Sequence, residues 1–309
     1  GIGTVVAFAL YVHRFFDPVR DLVLQHTMIQ RAMAGAQRVF QLIDIEPEIV
    51  DVDSARELED IRGEVELQNV SFSYSPGTEV LKNISLKASP GENIALVGPT
   101  GAGKSTITSL IARFYDVDEG RVLIDGIDIR KVKRFSFAQR MGLVLQDPFL
   151  FSGSVLDNIR YGRLDASDAD VLKAAQSVGA DHFIQDLPNG YNTLLQERGQ
   201  SLSVGQRQLV SFARAILADP RILILDEATA TVDTRTEILI QDALKKLLSN
   251  RTSFVIAHRL STIRNASRIV IVDDGQIVDE GTHDQLISRS GIYSRLYKMT
   301  YEGSGIDNT

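Results

Sequence analysis

The feature that most constrains this chain is a short glycine-rich segment that follows an apolar run. Residues 94–97 are typical of a strand buried on both faces, and from Gly98 onwards the chain follows the P-loop spacing Gly-x-x-x-x-Gly-Lys-Ser. Because Gly98, Gly101 and Gly103 lack a Cβ atom, the backbone can take positive φ angles and turn its N–H groups towards phosphate oxygens. The segment therefore predicts a phosphate-binding loop.

Charged and hydroxyl groups complete the predicted loop. A helix predicted from Lys104 to about Phe114 would add its positive N-terminal end to the anion site. Lys104 would bring a full charge to the β- and γ-phosphates, and the Ser105 hydroxyl is placed to ligate Mg²⁺. A glycine-rich turn that binds nothing is the competing interpretation, and the coincidence of strand, loop, Lys-Ser pair and amphipathic helix disfavours it.

Composition limits the class of protein. The 309 residues, 44% of them hydrophobic, suffice for one large domain with a smaller segment attached. A net charge of −7 disfavours nucleic acid as a partner, and the absence of cysteine excludes disulfides, thiolate metal sites and a cysteine nucleophile. The chain opens with Gly1 and apolar residues, so we expect it to be cut from something longer.

The N-terminal segment is predicted to be helical. Residues 2–16 are mostly apolar but fall short of the about 20 residues that cross a bilayer, so they fit the cytoplasmic end of a membrane span. After Pro18, positions spaced alternately by four and three residues form a single, mainly apolar stripe along a helix: Leu22, His26, Ile29, Met33, Ala36, Phe40 and Ile43. A core helix of a soluble domain explains this periodicity equally well. Residues 47–63, acidic and poor in large apolar side chains, are predicted to be a linker.

Strand patterns begin at Val65. The alternation there places two sets on opposite faces of a strand: Val65, Leu67, Asn69, Ser71 and Ser73 on one, and Glu66, Gln68, Val70, Phe72 and Tyr74 on the other. Residues 84–86 and 122–124, the latter followed by Asp125-Gly126, indicate hairpins. Widely spaced apolar runs at 142–145, 222–225, 254–257 and 269–272 predict a parallel sheet with helices on both faces.

Polar side chains follow three of these runs, where parallel sheets place their chemistry. Asp226 would deliver a carboxylate to the metal, and Glu227 would polarise the water that attacks the γ-phosphate. Gln146 and His258 follow the other two runs, although a structural histidine is the simpler interpretation of His258 taken alone. The remaining histidines, His13, His26, His182 and His283, are interpreted as structural.

A second helix start lies at residues 202–206. Ser203 and Gln206 form a predicted capping box, and the helical periodicity that follows ends at Asp219-Pro220. The N-terminus of this helix is a second potential anion site. Because the P-loop already provides a phosphate site in this chain, the second site would have a ligand only if it reached a nucleotide held by another subunit. A well-capped helix with no ligand remains an equal alternative.

Taken together, the motifs at 98–106, 146, 202–206, 222–227, 231–233 and 258 resemble, in this order, the nucleotide-binding domain of an ABC transporter. The resemblance implies an α/β P-loop NTPase fold with a RecA-like parallel-sheet core, an antiparallel β subdomain and an α-helical subdomain at about 147–212. The domain is expected at 64–298, followed by a tail at 299–309.

The same resemblance assigns roles to individual residues. Binding of ATP would involve Tyr74, stacked on adenine, together with Gly98, Thr100, Gly101, Ala102, Gly103, Lys104, Ser105 and Thr106. Gln146 would contact Mg²⁺ alongside Ser105 and Asp226, and Glu227 and the switch histidine His258 would act in hydrolysis. A signature that binds ATP in trans would consist of Leu202, Ser203, Val204, Gly205 and Gln206, with Asp233 in the D-loop.

Two further similarities indicate an exporter. Residues 196–199 resemble the X-loop of exporters, and residues 1–46 resemble the end of the last transmembrane helix and its cytoplasmic extension. About five transmembrane helices would then be missing, and with them the residues that select the substrate. We therefore expect a plasma (inner) membrane location with the nucleotide-binding domain on the cytoplasmic side. The expected partners are its own transmembrane domain, the bilayer, a transported substrate and a second half-transporter, but no nucleic acid.

Two departures from the usual family pattern bear on that second half-transporter. Val204 stands where the common signature has glycine, and residues 230–233 read Ala-Thr-Val-Asp rather than the usual Ser-Ala-Leu-Asp type. Both resemble one half of heterodimeric exporters, so a heterodimer is favoured over a homodimer.

Other classes of ATPase and GTPase fit the sequence less well. A soluble ABC ATPase of the chromosome-maintenance type would carry a long coiled coil between P-loop and signature, where this chain has only about a hundred residues. A soluble ABC ATPase that acts on ribosomes belongs to the same alternative, and the apolar N-terminal segment disfavours it. A GTPase would carry Asn-Lys-x-Asp, and no Asn-Lys pair occurs in the chain.

Overall fold

The computed structural model describes residues 1–227, 234–257, 259–289 and 291–298, and the chain forms two compact units, Gly1–Val50 and Asp51–Thr309. The first unit contains helix α1 (Ile2–Ile43), a single helix of 42 residues that continues through Pro18. Its side chains are exposed along the whole length, and the helix is long and apolar enough to cross a membrane. The predicted long helix is therefore present.

The second unit alternates strands and helices. Its strands are β1 (Val65–Ser73), β2 (Glu79–Ala88), β3 (Asn93–Val97), β4 (Glu119–Ile124), β5 (Ile127–Asp128), β6 (Met141–Val144), β7 (Gly153–Ser154), β8 (Leu194–Leu195), β9 (Ile222–Asp226), β10 (Thr252–Ile256), β11 (Arg268–Asp273) and β12 (Gln276–Gly281). Its helices are α2 (Lys104–Ile111), α3 (Arg134–Ala138), α4 (Val155–Arg160), α5 (Asp168–Ser177), α6 (Asp181–Gln185), α7 (Val204–Ala218), α8 (Thr234–Leu248), α9 (Leu260–Arg264), α10 (His283–Ser288) and α11 (Ile292–Tyr297). The sequence between β6 and β9 is thus mainly helical.

The central sheet confirms the predicted parallel arrangement. Its strand order is β12-β11-β3-β10-β9-β6, and every neighbouring pair is parallel except the β11–β12 hairpin at the edge. Strand β10 in the middle is buried at each of its residues, as expected for a strand covered on both faces. Short connections cannot join parallel strands, so helices lie between them in the chain.

Different layers cover the two faces of this sheet. Ile94 and Leu96 of β3 pack in a core that includes helix α2 and the antiparallel sheet β2-β1-β4-β5. Ala95 and Val97 of the same strand pack in a core formed with the helices α4, α5, α7 and α8. The loop that follows β3 therefore emerges between two packed layers, where its backbone is held from both sides.

The alternation predicted for β1 is wrong beyond Gln68. Val65, Leu67, Val70 and Phe72 are all buried in the same core, because the register with both neighbouring strands shifts around Asn69. Asn69 adopts a φ of 50°, and one extra residue in a bulge moves all later side chains to the other face. The predicted hairpin at Asp125-Gly126 is confirmed, with φ angles of 48° and 80° that suit a two-residue turn.

The second compact unit, which begins at Asp51, includes most of the segment predicted as a linker. Leu58 and Ile61 are buried, and the Leu58 N–H donates to the Ser136 Oγ at 2.8 Å, so part of the segment predicted as a linker packs on the domain. Helix α2 ends at Ile111, before the predicted Phe114, because Arg113 adopts a φ of 52° and its buried guanidinium donates to the Val132 carbonyl.

Candidate active site

The parallel strands align the predicted site residues at one edge of the sheet. Leu96 of β3 and Asp226 of β9 both pair with Ile256 of β10, so the three strands end at the same level. Strand β6 ends at Val144, opposite Leu225, and the exposed Gln146 follows two residues later. The P-loop and the polar residues after β6 and β9 are thus brought to a common edge.

Glycine is required at two points of the P-loop. Gly98 has a φ of 159°, and a Cβ atom there would lie 2.0 Å from the Val272 carbonyl oxygen. Gly103 precedes α2 with a φ of 105°, and its Cβ would lie 2.6 Å from the Leu81 Cδ2. The positive φ angles predicted for this loop, including that of Gly101, are confirmed.

Lys104 lies inside the loop rather than in solvent. Its side chain is 8% exposed, and its Nζ donates to the carbonyl oxygens of Gly98 and Pro99, both at 2.8 Å. Burial lowers the pKa of Lys104, and the Asp226 carboxylate acts in the opposite direction. The ammonium group is therefore held inside the loop, within the electrostatic reach of the carboxylate at the end of β9.

The start of α2 carries the hydroxyl groups and contacts an aromatic residue. Ser105 is exposed, whereas Thr106 is buried and its Oγ1 lies 3.1 Å from the Tyr74 hydroxyl. Half of Tyr74 remains exposed, and its ring meets that of Tyr115 edge to face at a centroid distance of 5.1 Å. Sequence reasoning missed Tyr115, because the Phe114-Tyr115 pair after the helix belongs to no motif.

Glu227 is a buried carboxylate held by several donors. It is 4% exposed; its Oε1 accepts from the Thr262 hydroxyl at 2.6 Å and its Oε2 accepts from the Arg259 N–H at 3.1 Å. The Arg259 side chain lies 3.8 Å from Oε1 and also pairs with Glu237 at 2.5 Å. Arg259 and Thr262 were missed. The available signal was that both lie in the segment after β10, with Arg259 directly after His258.

The predicted capping box is present at the start of α7. The Ser203 N–H donates to the Gln206 Oε1 at 2.9 Å, and the Gln206 N–H donates to the Ser203 Oγ at 3.2 Å. Val204, the first residue of the helix, is half-buried, and Gly205 is buried behind it. Leu202 is buried as well; its N–H donates to the Gly199 carbonyl at 2.9 Å, and its carbonyl accepts from the Arg207 guanidinium at 2.8 Å.

The segment at 196–199 contacts the loop after Gln146. The Arg198 N–H donates to the Leu150 carbonyl at 2.9 Å, and a Cβ on Gly199 would lie 2.7 Å from the Leu150 Cδ1. Two of the predicted site residues, Asp233 and His258, lie outside the described residues, as does the predicted tail.

Comparison with known proteins agrees with this geometry. Residues 81–230 match the family described as ABC transporter. The chain is 49% identical over 300 residues to an uncharacterized ABC transporter ATP-binding protein, YknV, of Bacillus subtilis, covering 97% of this chain and 50% of that protein. It is 46% identical over 300 residues to an ATP-dependent lipid A-core flippase of Syntrophus aciditrophicus, again covering 97% of this chain and 50% of the relative.

A relative with a different named substrate matches equally well. The fatty acid ABC transporter ATP-binding/permease protein of Mycobacterium bovis is 48% identical over 299 residues, covering 97% of this chain and 47% of that protein. The solved structure of a bacterial Atm1-family ABC exporter with ATP bound superimposes with a TM-score of 0.81 at 42% identity, covering 88% of this chain and 48% of that one. The chain spans about half the length of the curated relatives it matches. Residues 81–230 therefore belong to the ABC transporter family, and the relatives that match nearly the whole chain include an ATP-binding/permease protein and a lipid A-core flippase.

Proposed function

We propose that this chain is the ATP-binding and ATP-hydrolysing part of an ABC exporter subunit. The observation that carries the proposal is the arrangement at the sheet edge. Lys104 is held inside a glycine loop under the influence of Asp226, and the buried Glu227 carboxylate directly follows Asp226. A phosphate-binding cation, a metal-binding carboxylate and a carboxylate for water are the groups that phosphoryl transfer to water requires.

We assign ATP binding to the P-loop and to Tyr74. The N–H groups of the loop, the N-terminus of α2 and the Lys104 ammonium would hold the phosphates. Besides the glycines, Thr100, Ala102 and Thr106 belong to this segment. Tyr74 would stack on adenine, since its ring is half exposed beside the start of α2.

Mg²⁺ fits the oxygen donors available here. Ser105, Gln146 and Asp226 offer a hydroxyl, an amide oxygen and one carboxylate, and within the described residues no group of three or more His, Cys, Asp or Glu residues suits a metal. Such a site suits Mg²⁺, which prefers one or two carboxylates with phosphate and water oxygens to a cage made only of protein. When bound, the ion would neutralise charge on the phosphates.

Hydrolysis is assigned to the end of β9 and the segment after β10. Glu227 would orient the attacking water and accept its proton, since its carboxylate is fixed by Thr262 and the Arg259 N–H. His258 would contact the γ-phosphate, and it directly precedes Arg259 in the chain.

A second half-transporter would complete each site. The capped N-terminus of α7, residues 202–206 with Val204, would bind ATP held by that partner, and Asp233 would lie in the D-loop between the two. We favour a heterodimer, because Val204 replaces the usual glycine. Closure of the two domains around ATP would drive the membrane domain.

The membrane part of the proposal rests on α1. Residues 1–46 would be the end of the last transmembrane helix and its cytoplasmic extension in the plasma (inner) membrane, with the nucleotide-binding domain on the cytoplasmic side. The exposed apolar length of α1 supports contact with a bilayer and with sister helices. Relatives carry the names of a fatty acid transporter and a lipid A-core flippase, so an amphiphilic substrate is the class we propose.

Replacement of Lys104 by alanine tests the nucleotide site. Because Lys104→Ala removes the charge inside the loop, we expect ATP affinity to fall at least about tenfold, or 1.4 kcal/mol. Lys245→Ala removes a lysine from an exposed ion pair of α8 and serves as the matched control. Equilibrium titration with fluorescent ATP measures both, and equal affinities in the two variants would exclude the loop as the phosphate site.

A further inference from the structure

A hairpin turn lies against the outside of the P-loop. The turn joins β11 to β12 through Asp274 and Gly275, whose φ angles are 43° and 75°. The Gly275 N–H donates to the Ala102 carbonyl at 3.1 Å, and the Gly275 carbonyl accepts from the Lys82 N–H at 2.9 Å. The turn is therefore hydrogen-bonded to the P-loop on one side and to strand β2 on the other.

The bond to Ala102 fixes the orientation of one peptide group in the loop. The Ala102 carbonyl and the Gly103 N–H belong to the same trans peptide, in which C=O and N–H point in opposite directions. Because Gly275 holds the carbonyl on the outer side, the Gly103 N–H is directed to the inner side of the loop. Gly103 is the residue from which α2 starts, so this N–H belongs to the predicted anion site.

The packing around the two glycines leaves no room for a side chain. A Cβ atom on Gly275 would lie 2.3 Å from the Val80 carbonyl oxygen, and a Cβ on Gly103 would meet the Leu81 side chain at 2.6 Å. The Cα of Gly275 lies 3.8 Å from the same Gly103 Cβ position. The backbone of the turn therefore packs directly against strand β2 and the P-loop.

An ion pair closes the outer side of this contact. The Lys82 Nζ lies 2.8 Å from the Asp274 Oδ2, so the residue that donates its N–H to Gly275 also holds the other residue of the turn. Both side chains are substantially exposed, and exposed pairs contribute little by themselves. The backbone contacts of Gly275 therefore dominate.

We propose that Gly275 is a positioning residue for ATP: it touches no nucleotide, and it raises affinity by holding the Ala102–Gly103 peptide with its N–H towards the phosphates. This inference rests on the proposed function of the P-loop. It gives the edge hairpin β11–β12 a role in nucleotide binding, although the hairpin lies far from the P-loop in the sequence.

The chain offers a matched control in its second Asp-Gly hairpin turn. Asp125 and Gly126 between β4 and β5 have φ angles of 48° and 80°, close to those of Asp274 and Gly275, but a Cβ on Gly126 meets nothing within 4 Å. Gly275→Ala and Gly126→Ala therefore share the strain of alanine at positive φ. They differ in that the Cβ at position 275 collides with the Val80 backbone of β2, which displaces the turn that holds the Ala102 carbonyl.

Fluorescent ATP titration of the whole chain in detergent compares the two variants. We expect Gly275→Ala to bind ATP about tenfold more weakly than Gly126→Ala, a difference of about 1.4 kcal/mol, with circular dichroism spectra alike. Equal affinities would overturn the proposal for Gly275. If Lys104→Ala bound ATP as tightly as the wild-type chain, the proposed nucleotide site itself would be overturned instead.

A measurement on the unaltered chain covers the case in which Gly275→Ala fails to fold. Amide hydrogen exchange is followed with and without ADP. We expect the Gly275 amide to exchange more slowly when ADP is bound, because its acceptor belongs to the ordered loop, and the Gly126 amide to be unaffected. A Gly275 amide that responds no more than the Gly126 amide would refute the proposed positioning role.

Discussion

The Thr262 hydroxyl donates a hydrogen bond of 2.6 Å to the Glu227 carboxylate, and both side chains are buried. Glu227 directly follows strand β9, whereas Thr262 lies on helix α9 after strand β10. The bond therefore joins the segments that follow two neighbouring strands at the proposed site of hydrolysis. A carboxylate fixed in this way can present one orientation to a water molecule without reorganisation during the reaction.

Replacing Glu227 by glutamine should separate hydrolysis from binding. Glu227→Gln keeps the shape of the side chain and an oxygen that accepts from Thr262, but it removes the charge that draws a proton from water. We expect the turnover number for ATP to fall by a factor on the order of 10²–10⁴ while ATP still binds. Steady-state ATPase assays and nucleotide titration measure the two effects.

The control for this experiment is Glu237→Gln. Glu237 pairs with the same Arg259 guanidinium, yet it lies on α8 and is partly exposed. If Glu227→Gln weakened binding as much as turnover, or if Glu237→Gln reproduced its effect, Glu227 would have a structural rather than a catalytic role.

Thr262 should act through Glu227. Thr262→Val has nearly the same shape but lacks the hydroxyl, so the carboxylate loses a donor and gains freedom of orientation. We expect the turnover number to fall about tenfold with little change in KM, since a misplacement of the water affects the transition state more than ATP binding. Thr262→Ser retains the hydroxyl and should restore most of the rate. A serine variant as slow as the valine variant would attribute the loss to packing.

Much of the site could be predicted because its parts are local in sequence. The P-loop needs glycine at positions of positive φ, and Gly98 and Gly103 have them. Apolar runs followed by a carboxylate identified the end of β9, and the Ser203–Gln206 capping box marked the start of α7. Each of these features is determined by backbone geometry within a few residues, which the residue types reveal directly.

The remaining contacts depend on how distant segments pack, which the sequence does not show. Gly275 reaches Ala102 only because β11 lies beside β3 in the sheet. The bulge at Asn69 reversed the expected faces of β1, since a single residue of positive φ overrides an alternating pattern. Strand order and register, rather than composition, determine such contacts.

A pH-dependent contribution to stability should arise at His283. Its Nδ1 lies 2.6 Å from the Tyr293 hydroxyl, which joins helices α10 and α11. Burial lowers the pKa of His283, the nearby Arg264 guanidinium lowers it further, and Asp284 opposes both. The unfolded chain therefore binds the proton more readily than the folded one, so the contribution of neutral His283 is complete above the ordinary pKa of 6.5 and declines below it.

Thermal unfolding at about pH 7.5 and about pH 5.5 measures this contribution, on either side of the ordinary histidine pKa. We expect the wild-type chain to lose more stability on acidification than His283→Gln, which cannot take up the proton. A His283→Gln chain that loses as much stability as the wild type would show that the helix contact does not titrate.

The last prediction concerns the two ATP sites of the proposed heterodimer. Glu227 and His258 are both present, so the site built on this chain's P-loop should hydrolyse ATP once a partner supplies its signature. Val204 would complete the partner's site, where a branched side chain at the start of α7 hinders the close backbone approach that glycine allows. We expect one fast and one slow site, and little cooperative ATPase activity from the full-length protein alone. ATPase assays of the protein with and without the neighbouring half-transporter measure this, with Val204→Gly in each mixture. Full cooperative activity from this protein alone, unchanged by Val204→Gly, would favour a symmetric homodimer and leave the exporter function intact.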